Sequence, residues 1–206
     1  MNLADRARQA LSLLDLTSLN DNDTDAVVEK LCARAVTPHG KVAAVCVWPR
    51  FAALAKQRLG TSGVKVAAVA NFPMGTADVT LAVRETKAIV AAGGDEVDVV
   101  FPYNSWLNGD HQIGGDLVKA CKDACGGTAI LKVILETGCL RSEGEIADAS
   151  SMAIDAGADF IKTSTGKATI SATPDSARIM LRAIKASGKK CGFKAAGGIM
   201  DARTAA

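Results

Sequence analysis

Aromatic residues make up only 4% of the 206-residue chain, and histidine occurs just twice, at His39 and His111. With a formal net charge of +2 and no basic run interleaved with rings, the chain lacks the footprint of a nucleic-acid binder. It also lacks an apolar stretch of the roughly 18 residues needed to span a bilayer. Residues 1–14 mix polar and apolar side chains and have no signal-peptide core. No membrane partner is expected, and a cytoplasmic location follows by default. Neither histidine joins a metal-ligand pattern. The six cysteines, Cys32, Cys46, Cys121, Cys125, Cys139 and Cys191, are scattered and are expected as reduced thiols. Cys121 and Cys125, four apart on one helix face, could in principle clamp a metal, but a structural role is the stronger reading. A G-x-G-x-x-G fingerprint after an early strand is missing as well.

What the chain has is aliphatic side chains, within a hydrophobic fraction of 49%, and rhythm. A helical pattern at Leu3, Ala7, Ala10, Leu11 and Leu14 leads into a short strand carrying Asp15 and Thr17. An Asx- and threonine-rich cluster at 20–24 starts a helix expected over 26–36. Strands are then predicted at 42–48, 64–72, 96–101, 129–136, 160–165 and 191–195, with helices at 51–59, 78–92, 115–125, 142–156 and 174–186. Ser142 with Glu145 has capping-box spacing, and Thr173-Pro174 supplies an N-cap and an N1 proline. A further helix could begin in 201–206.

The strands are near-continuous apolar runs, as expected when both faces are buried, and amphipathic helices alternate with them. That is a single α/β domain over 1–206 with right-handed crossovers in a parallel sheet. Seven strands fit an open doubly wound sheet or a (β/α)8 TIM barrel lacking its last unit. The missing dinucleotide fingerprint and a length short of about 250 residues favour the barrel, C-terminally incomplete, with the eighth strand and final helix absent from the sequence.

In a barrel, function gathers at the C-terminal strand ends. The polar residues there are Asp15, Thr17, Cys46, Asn71, Asp98, Lys132, Glu136, Lys162, Ser164, Lys167 and Lys194. The key stretch is Asp159-Phe160-Ile161-Lys162-Thr163-Ser164-Thr165-Gly166-Lys167, an apolar run with a lysine at its centre. Strand alternation turns Phe160, Lys162 and Ser164 one way, and Ile161 and Thr163 the other. An ammonium in such a strand is costly to bury, so Lys162 either escapes to water or works as a free amine. Two amines on sequential strands, Lys162 and Lys194, with an interior Asp98 suit Schiff-base chemistry. A nucleophilic lysine needs its pKa brought from about 10.4 toward roughly 7–8, and burial plus a second cation do that. The competing reading is a set of barrel ion pairs: Asp98 with Lys132 or Lys194, and Lys162 with Glu136. Thr165-Gly166-Lys167 and Gly197-Gly198 are candidate phosphate cradles, although Gly-Gly also marks tight turns.

With those residues assembled, the chain resembles the 2-deoxyribose-5-phosphate aldolases, class I aldolases on a (β/α)8 barrel. The resemblance runs over about residues 13–198 and is most specific at Glu96-Val97-Asp98-Val99-Val100, at 159–167, and at Gly192-Phe193-Lys194 with Ala196-Gly197-Gly198. Leu14-Asp15-Leu16-Thr17, Asn71-Phe72-Pro73, Lys132-Val133-Ile134 and Glu136-Thr137-Gly138 match too. It implies reversible cleavage of deoxyribose 5-phosphate to acetaldehyde and glyceraldehyde 3-phosphate, as in deoxyribonucleotide catabolism. Lys162 would form the imine, Lys194 would perturb its pKa, and Asp98 would relay protons. Thr17, Lys167 and Thr165 would line the substrate site, with Asp15 and Cys46 nearby and Gly166, Gly197 and Gly198 at the phosphate. No metal or organic cofactor is implied, and the partners would be small phosphosugars and aldehydes, with a homodimer left open. Ala195 stands where the family commonly has proline. The family's eighth strand and its phosphate loop have no counterpart up to Ala206, and are expected in a further C-terminal segment, a truncated barrel being the other reading. A catalytically inactive phosphosugar-binding barrel and a transaldolase-like Schiff-base enzyme are the alternatives.

Overall fold

The computed structural model describes residues 2–199 and 201. In chain order its elements are α1 (Leu3–Leu13), β1 (Asp15–Thr17), α2 (Asp25–Ala33), β2 (Val36–Thr37), β3 (Gly40–Lys41) and β4 (Ala44–Val47). A 3-10 turn at Pro49–Phe51 leads into α3 (Ala52–Leu59), followed by β5 (Lys65–Ala70), α4 (Val79–Ala91), β6 (Glu96–Val100) and α5 (Tyr103–Leu107). The remainder is α6 (Gln112–Ala124), β7 (Ile130–Ile134), α7 (Glu143–Asp155), β8 (Phe160–Lys162), α8 (Pro174–Ser187) and β9 (Gly192–Lys194).

Strand order in the main sheet is β1-β4-β5-β6-β7-β8-β9, following the chain. A doubly wound sheet reverses its strand order at a switch point, whereas a barrel adds strands in sequence. The observed order therefore selects the barrel branch of the two expected topologies, with seven strands in this sheet among the described residues.

The chain forms two compact units, one built from the chain up to Val69 with Ala88–Glu96, the other from Ala70–Lys87 with Val97–Gly198. In the first, β1 pairs in parallel with β4 (Thr17 against Cys46) and β4 with β5. All four residues of β4 are buried, and the Val28 face of α2 and the Ala55 face of α3 lie inward. In the second, β7, β8 and β9 pair in parallel, with Ile134, Lys162 and Lys194 at one level. Leu117, Val118, Ala149, Ala153 and Met180 bury the inner faces of α6, α7 and α8.

The strands are shorter than predicted. β8 ends at Lys162 where a run to Thr165 was expected, and β7 ends at Ile134. The reason lies past the strand ends: Glu136 takes a left-handed φ of 53° and Thr163 turns its hydroxyl onto Ala196, so regular pairing stops and loops begin. The helix expected over 26–36 stops at Ala33 because the following residues form the β2–β3 hairpin. The Ser142 cap is present, but Glu145 reaches back to the Arg141 N–H, not to that of Ser142. Thr173 and Ser176 complete a full capping box ahead of α8. α5 was not anticipated. The helix start expected at 201–206 falls, apart from Asp201, outside the described residues.

Candidate active site

Asp98 is the centre of a buried charged cluster. It lies on β6 between Val97 and Val99, all three fully buried. Its carboxylate accepts a hydrogen bond from Lys132 Nζ at 2.9 Å through one oxygen and from Lys162 Nζ at 2.6 Å through the other. The Lys132 and Lys162 side chains are themselves only 4% and 10% exposed. Burial alone would raise the Asp98 pKa, but the two ammonium charges and the hydrogen bonds they donate outweigh it and hold the carboxyl far below its ordinary range.

Each member is there because of its strand. Lys132 and Ile134 alternate along β7, and Ile134 is level with Lys162 on β8. Lys162 is in turn level with Lys194 on β9, in parallel register. Neighbouring parallel strands lie about 4.8 Å apart, so the two lysines leave the sheet side by side. Lys194 is half-buried. Lys132 and Lys162 thus share one carboxylate, and Lys194 stands in register beside Lys162.

The expected ion pairs divide. Asp98 does take Lys132, but Lys162 also reaches Asp98, and the Glu136 carboxylate instead accepts the Thr165 hydroxyl at 2.5 Å. Lys132 was therefore undervalued by the sequence reading. The available signal was its two-residue step from Ile134, on the face that carries the site.

The loops after β8 and β9 meet. A Cβ on Gly197 would lie 3.3 Å from the Gly166 Cα, and Ala172 N–H donates to the Ala196 carbonyl. Gly166 and Gly197 have φ of 78° and 86°. Lys167 and Gly198 are exposed there, and the Lys167 N–H donates to Thr165 Oγ1 at 3.0 Å. At the same strand ends, Ser164 Oγ and Thr137 Oγ1 are buried with no hydrogen-bond partner among the described residues, polar capacity that a substrate could use.

Asp15, Thr17 and Cys46 belong to the first unit. Thr17 is exposed, with its hydroxyl donating to the Asp15 carbonyl; Asp15 is half-buried and Cys46 fully buried. Cys121 and Cys125 are buried free thiols, and no cluster of three metal-ligating side chains occurs among the described residues. No helix of the described residues is long and apolar enough to cross a membrane.

A family model described as DeoC/LacD family aldolase matches residues 9–205. Among solved structures, the chain is similar to a proposed deoxyribose-phosphate aldolase from Coccidioides immitis, with 32% identity, a TM-score of 0.87, and coverage of 94% of this chain and 75% of the other. It is also similar to QR15, described as an aldolase (31% identity, TM-score 0.86, 95% of this chain and 85% of the other). A deoxyribose phosphate aldolase from Aeropyrum pernix, whose structure is described as tetrameric, matches at 27% identity with a TM-score of 0.78, over 98% and 88% of the two chains. The fold is accordingly that of the aldolase (β/α) barrels, and the chain belongs to the DeoC/LacD aldolase family and is a lyase.

Proposed function

We propose that this aldolase cleaves 2-deoxy-D-ribose 5-phosphate, reversibly, to acetaldehyde and D-glyceraldehyde 3-phosphate through an imine on Lys162. The observation that carries the proposal is the pair of buried lysines on Asp98, with Lys194 level with one of them. Lys162, once deprotonated, adds to the C1 aldehyde of the open-chain sugar, and loss of water gives the iminium. Removal of the C3 hydroxyl proton breaks the C2–C3 bond. The glyceraldehyde 3-phosphate carbonyl forms, and the bond's electron pair enters the iminium to give an enamine. Protonation at C2 and hydrolysis then release acetaldehyde and restore the amine.

In this mechanism Lys132 and Lys194 favour the neutral amine of Lys162 by charge repulsion, and Asp98 receives and returns protons within the buried cluster. Lys167, Thr165, Gly166, Gly197 and Gly198 receive the phosphate end. The test is incubation with acetaldehyde, reduction with borohydride and peptide mapping. An ethyl adduct on Lys162 is expected; its absence, or labelling of Lys132 or Lys194 instead, refutes the assignment. Faster turnover of a ketose phosphate than of deoxyribose 5-phosphate would point to transaldolase-like chemistry.

A further inference from the structure

Glu136 is 2% exposed and lies just past the end of β7 with a left-handed φ of 53°. For a non-glycine residue that conformation costs on the order of 1 kcal/mol or more. Its effect on the sheet is direct. Leu135 N–H donates to the Lys162 carbonyl at 2.9 Å, and a regular parallel ladder would send the Thr137 N–H to residue 164. It goes instead to the Thr163 carbonyl at 2.9 Å, a slip of one residue located at Glu136.

The slip brings the carboxylate under the next loop. Glu136 accepts the Thr165 hydroxyl at 2.5 Å and the Thr165 N–H at 3.3 and 3.4 Å. Thr165 Oγ1 in turn accepts the Lys167 N–H at 3.0 Å. The buried Glu136 carboxylate thus holds Thr165 and, through it, the Lys167 N–H, next to the Gly166–Gly197 approach. Asn71 gives the contrast. It too has a φ of 53° past a strand end, yet its side chain bonds Thr76 within its own loop and the Val100 carbonyl. Glu136 alone of the two reaches onto the loop that follows Lys162.

We infer that Glu136 is a positioning residue which fixes the Thr165–Gly166–Lys167 loop to receive the anionic end of a phosphorylated substrate. This rests on the function proposed above, in which that loop meets the phosphate. Glu136 acts one step away from the substrate, through Thr165, and has no part in imine formation.

The experiment compares wild type with Glu136→Gln, which keeps the volume but turns one acceptor into a donor facing the Thr165 donors. KM for deoxyribose 5-phosphate should rise about tenfold and kcat change less than threefold, while borohydride trapping of acetaldehyde on Lys162 stays as in wild type. KM for unphosphorylated deoxyribose should not move. Thr165→Val should raise KM similarly, Thr165→Ser should not, and the Glu136→Gln/Thr165→Val double variant should be no worse than the worse single change. A wild-type KM in Glu136→Gln, an equal rise for the unphosphorylated sugar, or full additivity overturns the inference. If Glu136→Gln does not fold, the valine and serine variants decide, and equal KM values in both refute it. Failure of wild type itself to trap acetaldehyde would sink the proposed function instead, which keeps the two apart.

Discussion

At the scale of single residues, the buried Asp98 carboxylate is held by two ammonium groups, and its removal would leave both without that charge. Asp98→Leu should cost about 3–5 kcal/mol in denaturant unfolding, the range for breaking one side of a buried ion pair. Asp98→Asn should fold better but lose at least about 100-fold in kcat. The pH dependence follows from the lowered pKa of Asp98. A carboxyl depressed in the folded state stabilises above its unfolded value of about 3.9, and that contribution is lost as pH falls below it toward the folded value. The stability gap between wild type and Asp98→Asn should thus be constant above about pH 5 and shrink below about pH 4, measured by thermal unfolding. A gap independent of pH would disprove the assignment. Lys162→Leu should abolish turnover, while Lys194→Leu should lower it strongly and move the pH profile of imine trapping upward, since a neighbouring cation is gone. Unchanged profiles would remove Lys194 from the electrostatic role.

At the scale of elements, the two ends of the strands are built differently. At the N-terminal end of β8, Asp159 accepts the Leu131 N–H at 2.8 Å and Lys122 Nζ at 2.6 Å. Before β6, Asp95 does the same with the Val66 N–H at 2.9 Å and Lys56 Nζ at 2.8 Å. This repeated clamp joins a strand start to its neighbouring strand and to the helix that precedes that neighbour. Asp159→Asn should cost about 1 kcal/mol of stability, because the pair is partly exposed, and leave kcat within twofold. A large loss of kcat with no loss of stability would contradict this division. The C-terminal loops behave otherwise. In Gly197→Ala the new Cβ would come within 2.4 Å of Ser171 Oγ at a φ of 86°. That loop must shift, so KM for the phosphorylated substrate should rise by about tenfold or more, a change of roughly 1.4 kcal/mol in binding. An unaltered KM would show that the loop tolerates displacement.

At the scale of the molecule, the six cysteines report on its opening. Burial pushes the thiols of Cys121 and Cys125 up to about 11. At pH 8 the thiolate fraction of such a group is about 100-fold below that of an ordinary thiol, and the side chains are closed to reagent as well. Alkylation followed by peptide mass spectrometry should leave Cys121 and Cys125 unmodified in the native protein and label both fully in denaturant. Rapid native labelling would mean that α6 opens locally. The same measurement on Asp98→Leu would show whether the loss of the buried pair loosens the whole second unit or its strand ends alone.

Much of this protein is written along the chain. Buried parallel strands demand continuous apolar runs, and helices demand 3.6-residue spacing, so the order of elements and the oddity of Lys162 within a strand are visible in the sequence. The family motifs at Asp98, Lys162 and Lys194 are local enough to be seen there too. Contacts between strands are not local. That Lys132 shares Asp98 with Lys162, and that Lys162 stands level with Lys194, depends on sheet register, which pairs residues dozens of positions apart. Strand ends were missed for a related reason: a propensity run continues smoothly through Leu135 and Thr163, but the ladder stops where Glu136 turns left-handed and the Thr163 hydroxyl takes over the pairing to Ala196. The sequence determined which residues could carry the chemistry; register and strand termination, set only when the sheet assembles, decided which of them touch.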